Sequence, residues 1–475
     1  MNLNPTKNSN RATALDALRG FAILTMVLSG VIPYKVLPAW MYHAQISPPT
    51  HQFNPDLPGL TWVDLVFPMF LFALGAAIPL ALSHRIGKGE PFTKILFGIG
   101  ERGFLLGFFA IFLRHVRPHV IESTPSTQTW FIALLGFFLM FPIFLRLPAT
   151  WKGWWKYSIK IGGWLAVIIL LWNLNYPDGR GFSLSRSDII LVVLTNVAVF
   201  GSLIWLLTRN NPLVRLSLLG ILLALRLSQT ETGWIQALWN YSPAPWIYKM
   251  YYLQYLFIVI PGTIIGERLL SWMQTPEAST KDNKNWSSGR FWTLAGISVA
   301  LIIVLLIGLQ ARWVWQTALA AAFLCGTGYL MVMHANNEVE NLLKTLFLWA
   351  TYWLILGVVL EPFEGGIKKD HSTLSYYFVT TGLSIYLLIV FFIIGDVFKK
   401  QRWMQLLIDN GKNPMIAYTG FANFIWPILA LTGLEKVFIK ITPTPWLGFL
   451  RGLFYTIILA LLVQFFSKRK LFWRT

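Results

Sequence analysis

The sequence predicts an all-α fold, a polytopic integral membrane bundle of about 11–14 transmembrane helices, and three observations carry that prediction. Of 475 residues, 55% are hydrophobic and 12% charged, and the mean hydropathy is +0.57, outside the range of soluble domains. Apolar runs of roughly 17 to 22 residues recur along the chain, each long enough to cross a hydrocarbon core of about 30 Å as a helix. Strand-type alternation is absent, and backbone amides in lipid find partners within their own segment only in a helix.

In chain order the runs fall at 20–32, 64–82, 95–113, 129–145, 161–173, 189–207, 213–227, 251–269, 292–309, 314–333, 345–360, 377–396, 413–432 and 447–466. Those near 161, 213 and 413 are short for a crossing and leave a re-entrant path open. The first run follows a polar stretch and Arg11 and has no small-residue cleavage site before Pro33, so it reads as a retained span. Three long loops, 33–60, 230–250 and 361–376, are punctuated by proline or glycine and rich in aromatic or polar groups. They are expected on the external side, where they assemble one site. Residues 275–290 (TPEASTKDNKNWSSGR) read as a flexible cytoplasmic linker within a single transmembrane domain covering 1–475.

The formal charge of +19 does not point to nucleic acid, because the basic residues are spread over short loops and form no stripe. With a cytoplasmic N-terminus and one crossing per run, roughly 25 Lys and Arg fall inside against about 12 outside, as the positive-inside rule expects. Both termini are then cytoplasmic. Cys325, the single cysteine, excludes an internal disulfide and a thiol metal cluster. No ligand-spacing motif joins His43, His51 and Asp64, so no metal is expected.

Several polar groups stand where plain anchors carry none. Asp64 opens an apolar run, and a carboxylate against hydrocarbon costs about 2.5 to 3.5 kcal/mol on insertion scales, so it must face water, the bundle interior or a partner. His43 and His51 lie in the loop just before it, and imidazole is the commonest general base because it titrates near working pH. Asp64 then suits the role of orienting an imidazole. Asp16 and Arg19, three residues apart on one helical face, form either an ion pair with an anchoring charge or a platform for an anion arriving from the cytoplasm. Lys368, Lys369 and Asp370 occupy an external loop, where lysines run against the positive-inside tendency. They read as a solvated loop or as binding groups for an anionic or hydroxylated ligand. Asn413 opens another span beside Gly411 and Lys412, as a turn and cap or as an anion site at a helix start.

Four stretches, LDALRG at 15–20, GLTWVDLVFPMFLFALG at 59–75, GIKKDHSTLSYYFVTTGLS at 366–384 and GKNPMIAY at 411–418, together resemble heparan-alpha-glucosaminide N-acetyltransferase and its bacterial membrane relatives. The resemblance covers both ends of the chain and leaves 150–340 poorly matched. It implies a multi-helix acyltransferase of a bacterial inner membrane. Acetyl-CoA is the implied cytoplasmic donor, the acceptor is an amino sugar or other glycan at the outer side, and a homodimer is allowed. It also implies a catalytic histidine in the loop before the GLT-x-x-DLVFP motif. His43, followed by Ala44, keeps the family's His-Ala pair; His51 is the reserve. Asp64 is the orienting acid, Asp16, Arg19 and Asn413 the donor-side groups, and Lys368, Lys369 and Asp370 the acceptor-side groups. Pro58 stands where the family has asparagine, and the position of its first-span asparagine falls near Gly30. The competing classes are a transporter or flippase for a sugar or lipid-linked precursor and a non-catalytic scaffold with tryptophan belts. No internal repeat supports the transporter.

Overall fold

Helices begin where the sequence supplies a cap. Asp188, Asn211, Asn337, Thr373 and Thr444 each accept a first-turn backbone N–H through the side chain, satisfying donors that a helix start leaves open. The computed structural model describes residues 12–147, 150–275 and 285–475. The linker expected at 275–290 lies largely outside the described residues.

The helices in chain order are α1 (Thr13–Val31), α2 (Trp62–Gly87), α3 (Phe92–His115) and α4 (Thr127–Phe144). Next come α5 (Gly153–Asn173), α6 (Ile189–Thr208), α7 (Pro212–Leu227) and α8 (Leu256–Gln274). They are followed by α9 (Ser288–Gln310), α10 (Val314–Val332), α11 (Glu338–Val359) and α12 (Leu374–Phe392). The chain closes with α13 (Gln405–Lys412), α14 (Pro414–Leu431), α15 (Leu434–Ile441) and α16 (Pro445–Lys468). No strand occurs among the described residues; two isolated bridges do.

Among the described residues 13 helices are long and apolar enough to cross a membrane, so the protein is an all-α polytopic bundle. Of the three runs expected to be short, α5 and α14 reach full length, α14 with a π turn over Phe421–Ile425. Only α7, at 16 residues, falls short. Its two ends nonetheless lie at opposite ends of the bundle. Arg215 in its first turn bonds Thr208 at the end of α6, and Arg226 in its last turn reaches Ser372 just ahead of α12.

Helix α12 is buried along nearly its whole length, and α1, α2, α8, α9 and α11 surround it. Hydrocarbon gives apolar side chains no reason to leave it, so helices associate in lipid by close backbone approach at small residues. A Cβ at Gly75 would lie 2.2 Å from Val259 O, and one at Gly266 would lie 2.2 Å from Ala76 O. These glycines are what lets α2 and α8 touch. Likewise a Cβ at Gly20 would come 1.8 Å from Leu407 O, and one at Gly411 1.8 Å from Asp16 O. The LDALRG and GKNP motifs therefore meet, which the sequence alone did not reveal.

That crossing marks one end of the bundle. Arg19 donates to Gly411 O at 3.2 Å, Thr13 to Asp396 at 3.1 Å, and Asn413 to Leu471 O at 2.8 Å. The chain thus enters α1 and leaves α16 at the same end. At the opposite end the loops 33–60 and 361–376 close on each other, with Gly59 N–H donating to Ile367 O at 2.8 Å.

Candidate active site

Thr61 caps α2, which puts Asp64 at the third helical position. There a carboxylate reaches back to the cap's own N–H and complements the helix dipole. Its Oδ2 accepts from Thr61 N–H at 3.1 Å and from Ala44 N–H at 3.1 Å. Tyr376 of α12 donates its hydroxyl to Asp64 O at 2.8 Å. One oxygen of this fully buried acid is consumed in building the site, and Oδ1, also buried, is left for His43.

Oδ1 meets His43 Nδ1, and the ammonium of Lys369 stands 3.9 Å away. The other imidazole nitrogen, Nε2, lies 3.0 Å from Asp370 Oδ2. His43 is therefore bracketed by two aspartates from sequence-distant segments. The two differ sharply in exposure: the Asp64 side chain is 1% exposed and that of Asp370 47%. Asp64 is fixed in a helix start, while Asp370 stands on a loop open to solvent. Burial works against the charged imidazole, yet the hydrogen bonds to Asp370 and Asp64 outweigh it and raise the His43 pKa above its ordinary value. Burial also opposes ionisation of Asp370, but His43 and Lys369 prevail and lower its pKa.

The loops that carry this group are pinned from several sides. The Gln45 amide clasps the Asp370 backbone, accepting its N–H at 2.9 Å and donating to its carbonyl. Arg312 pairs with Glu361 at 2.5 Å and Arg226 with Glu364 at 2.5 Å. Arg226 also donates to Ser372 O at 2.8 Å, and Tyr255 hydrogen-bonds the Ser372 hydroxyl at 3.1 Å. Gln45, Tyr376, Arg226 and Arg312 were not among the residues singled out from sequence. For Arg226 a signal existed, since an arginine closing an apolar run has to find a partner.

The structure brings His43, Asp64, Lys369 and Asp370 together and leaves the other expected site residues elsewhere. His51 packs its ring against Tyr34 and Tyr42, with centroids at 5.2 and 4.6 Å. Neither of its nitrogens finds a hydrogen-bond partner among the described residues. Lys368 joins the loop through its backbone, its N–H reaching the Thr373 hydroxyl at 3.1 Å. Asp16 and Arg19 pair at 3.5 Å at the far end, and Asn413 there holds the C-terminal segment through Leu471 and Trp473. The loop 230–250, expected to join the site, packs instead on α6, where Asn196 donates to Ile247 O at 2.7 Å. At Gly30 nothing lies within 4 Å of a would-be side chain. Among the described residues no group of three or more His, Cys, Asp or Glu is arranged to hold a metal. The His43 ring lies between its two acids, so their donor atoms do not converge.

Fold and site together define a polytopic helical membrane protein with a carboxylate–imidazole–carboxylate group, its inner acid buried, where the loops 33–60 and 361–376 meet. A family model described as Domain of unknown function (DUF5009) matches residues 11–269, more than half of the chain, and the chain belongs to that family. It is also similar to heparan-alpha-glucosaminide N-acetyltransferase of Mus musculus, 26% identical over 198 residues, covering 36% of this chain and 28% of the mouse protein. The match thus spans under a third of that relative's length, and it supports the resemblance drawn from the motifs.

Proposed function

We propose that the protein is a membrane acetyltransferase that takes an acetyl group from acetyl-CoA and delivers it to an amine or hydroxyl of a glycan at the opposite face. The observation that carries this reading is the bracketed His43, because an imidazole steadied by a buried acid is the group that acyl transfer needs. The likeness to a mammalian N-acetyltransferase supports the same chemistry.

In this reading Asp64 holds His43 with a proton on Nδ1, leaving Nε2 to act. A protonated acceptor amine displaces Nε2 from Asp370 and is met by that carboxylate. The ammonium first releases one proton to solvent; the free amine nitrogen then attacks the thioester carbonyl while His43 takes a second N–H proton, the C–N bond forms and the C–S bond breaks. His43 then returns the proton to the departing thiolate. The step is redox-neutral. In the alternative course, the acetyl group rests on Nε2 before the acceptor arrives. General-base help of this kind contributes about 10² to 10⁴ in rate.

Among the described residues most Lys and Arg lie towards the end where both termini meet, which argues for a cytoplasmic face there. Acetyl-CoA would enter at that face beside Arg19, and a bacterial inner membrane fits the family resemblance. The whole chain is read as one transmembrane domain. The test uses purified protein in detergent with acetyl-labelled CoA and amino-sugar acceptors. Thioester consumption that depends on protein and acceptor, and is lost in His43→Ala, is expected. A vesicle flux of sugar without thioester consumption would instead establish a transporter.

A further inference from the structure

We infer that Arg226 is a positioning residue that sets the protonation of His43 through the loop carrying Asp370; this rests on the acyl-transfer reading of the site. Three observations converge on it. Arg226 is 6% exposed and its guanidinium binds Glu364, Ser372 O and the Gln254 side chain at once. Glu364 passes the restraint on by accepting Leu374 N–H at 2.7 Å, so a single fork holds both ends of the segment 364–374. Asp370 lies inside that segment, two residues before Ser372.

The second observation concerns α7, which carries the arginine. At 16 residues it is too short to be held by the lipid alone. It is instead fastened at its other end by Arg215, fully buried, which pairs with Glu267 of α8 at 2.8 Å and bonds Thr208 and Thr263. Arg215 and Arg226 are eleven residues apart, about three turns, hence on one face of α7. The helix is a strut with a cation at each end, and its length fixes where the Arg226 fork stands.

Third, the replaceable partner is the one Arg226 governs. Asp64 is built into a helix start, whereas Asp370 hangs on a loop and is half exposed. Lysine cannot substitute for the fork, because it offers no planar pair of donors to a carboxylate and a carbonyl together.

The test reads His43 without needing turnover. Peptide-resolved modification by diethyl pyrocarbonate follows neutral imidazole, so its rate rises with pH through the His43 pKa. With Arg226→Gln the loop loosens, Asp370 loses Nε2, and the midpoint should fall by about one pH unit. Hydrogen exchange across 361–376 should rise in parallel. Arg117→Gln serves as control, since Arg117 pairs with Asp188 in a different loop at 2.9 Å; it should leave the His43 midpoint where it was. Glu364→Gln, which keeps shape and removes only charge, should move the midpoint the same way by less. In the turnover assay Arg226→Gln should lower kcat on the order of ten- to a hundredfold with KM for the donor unchanged. An unmoved midpoint in whichever of the two variants folds overturns the inference. A moved midpoint without any acetyl transfer in the parent protein would leave the inference standing and remove the enzymatic reading.

Discussion

His43 Nε2 and Asp370 Oδ2 stand 3.0 Å apart although 327 residues separate them in the chain. The contact engages Nε2, the nitrogen that would serve as the base in the proposed transfer, and it favours the protonated imidazole. Because the Asp370 carboxylate is the exposed partner, its removal changes the chemistry of His43 more than the packing around it.

The first prediction concerns which histidine works. His43→Ala should cut acetyl transfer by about 10² to 10⁴, whereas His51→Ala should keep most of it, because His51 meets only the rings of Tyr34 and Tyr42. Single-turnover assays on both variants at matched protein level decide it. Full activity in His43→Ala would sink the proposed mechanism.

The second follows from sign. Catalysis by neutral His43 rises with pH through a pKa that its two acids hold above the ordinary value. Asp370→Asn removes one of them, so the acid limb of the rate profile should move to lower pH. The pairing also steadies the fold: its contribution is full below the ordinary imidazole pKa and fades as pH rises through the raised one. Thermal melts across that window should show a parent advantage over Asp370→Asn that shrinks at higher pH.

The third separates the two oxygens of Asp64. Asn at this position keeps an acceptor for Thr61 N–H and Ala44 N–H, but it loses the charge that faces His43. Asp64→Asn should therefore fold and lose most activity. Asp64→Ala should also lose stability, by about 1 kcal/mol for the cap and more for the buried N–H groups left unpaired. Equal melting temperatures for the two variants would show that the cap contributes nothing.

How much of this was readable in advance follows from where each signal resides. Helix content is written locally, in run length and caps, so the crossings at α1 to α4 and at α6 were legible. The short run 213–227 was not, because what carries α7 across is a pair of arginines with distant partners, Glu267 and Glu364. Asp64 was conspicuous as an acid opening an apolar run, His43 as an imidazole in the loop just before it, and Asp370 as part of a loop carrying unexpected charge. Their convergence depends on loops meeting across the bundle. Gln45 gave no such sign, since a glutamine in a polar loop looks like solvent-facing chain until Asp370 is placed against it. His51 was misleading for the converse reason: it is nearer to Asp64 in sequence, and its backbone turn at φ 50° directs it to the tyrosines.

The fourth prediction tests the crossing of α1 and α13. Gly411→Ala would thrust a methyl to 1.8 Å from Asp16 O, and since backbone cannot yield as a side chain does, the helices must part. A loss of about 1 to 3 kcal/mol is expected. Gly100→Ala, with nothing within 4 Å, should be neutral or slightly stabilising, as alanine favours a helix over glycine by about 1 kcal/mol. Detergent unfolding of both variants makes the comparison.

The fifth concerns the donor end. Arg19 bonds Asp16 and Gly411 O, which already gives it a structural task, and its charge acts on Arg102 of α3. Arg102 in turn has a buried Nε without a hydrogen-bond partner among the described residues. Two guanidinium groups in that relation favour an anion between them, and in the proposed reaction the phosphates of CoA would supply one. Arg19→Ala should raise the apparent KM for acetyl-CoA. Arg102→Gln should do so as well, with kcat for bound donor nearly unchanged in both, because neither residue is near His43. Combining the two should raise KM by less than the product of the single effects, as expected when both act on one ligand group. An unaltered KM at normal protein level in Arg19→Ala would assign that arginine to the helix crossing and the positive-inside bias alone.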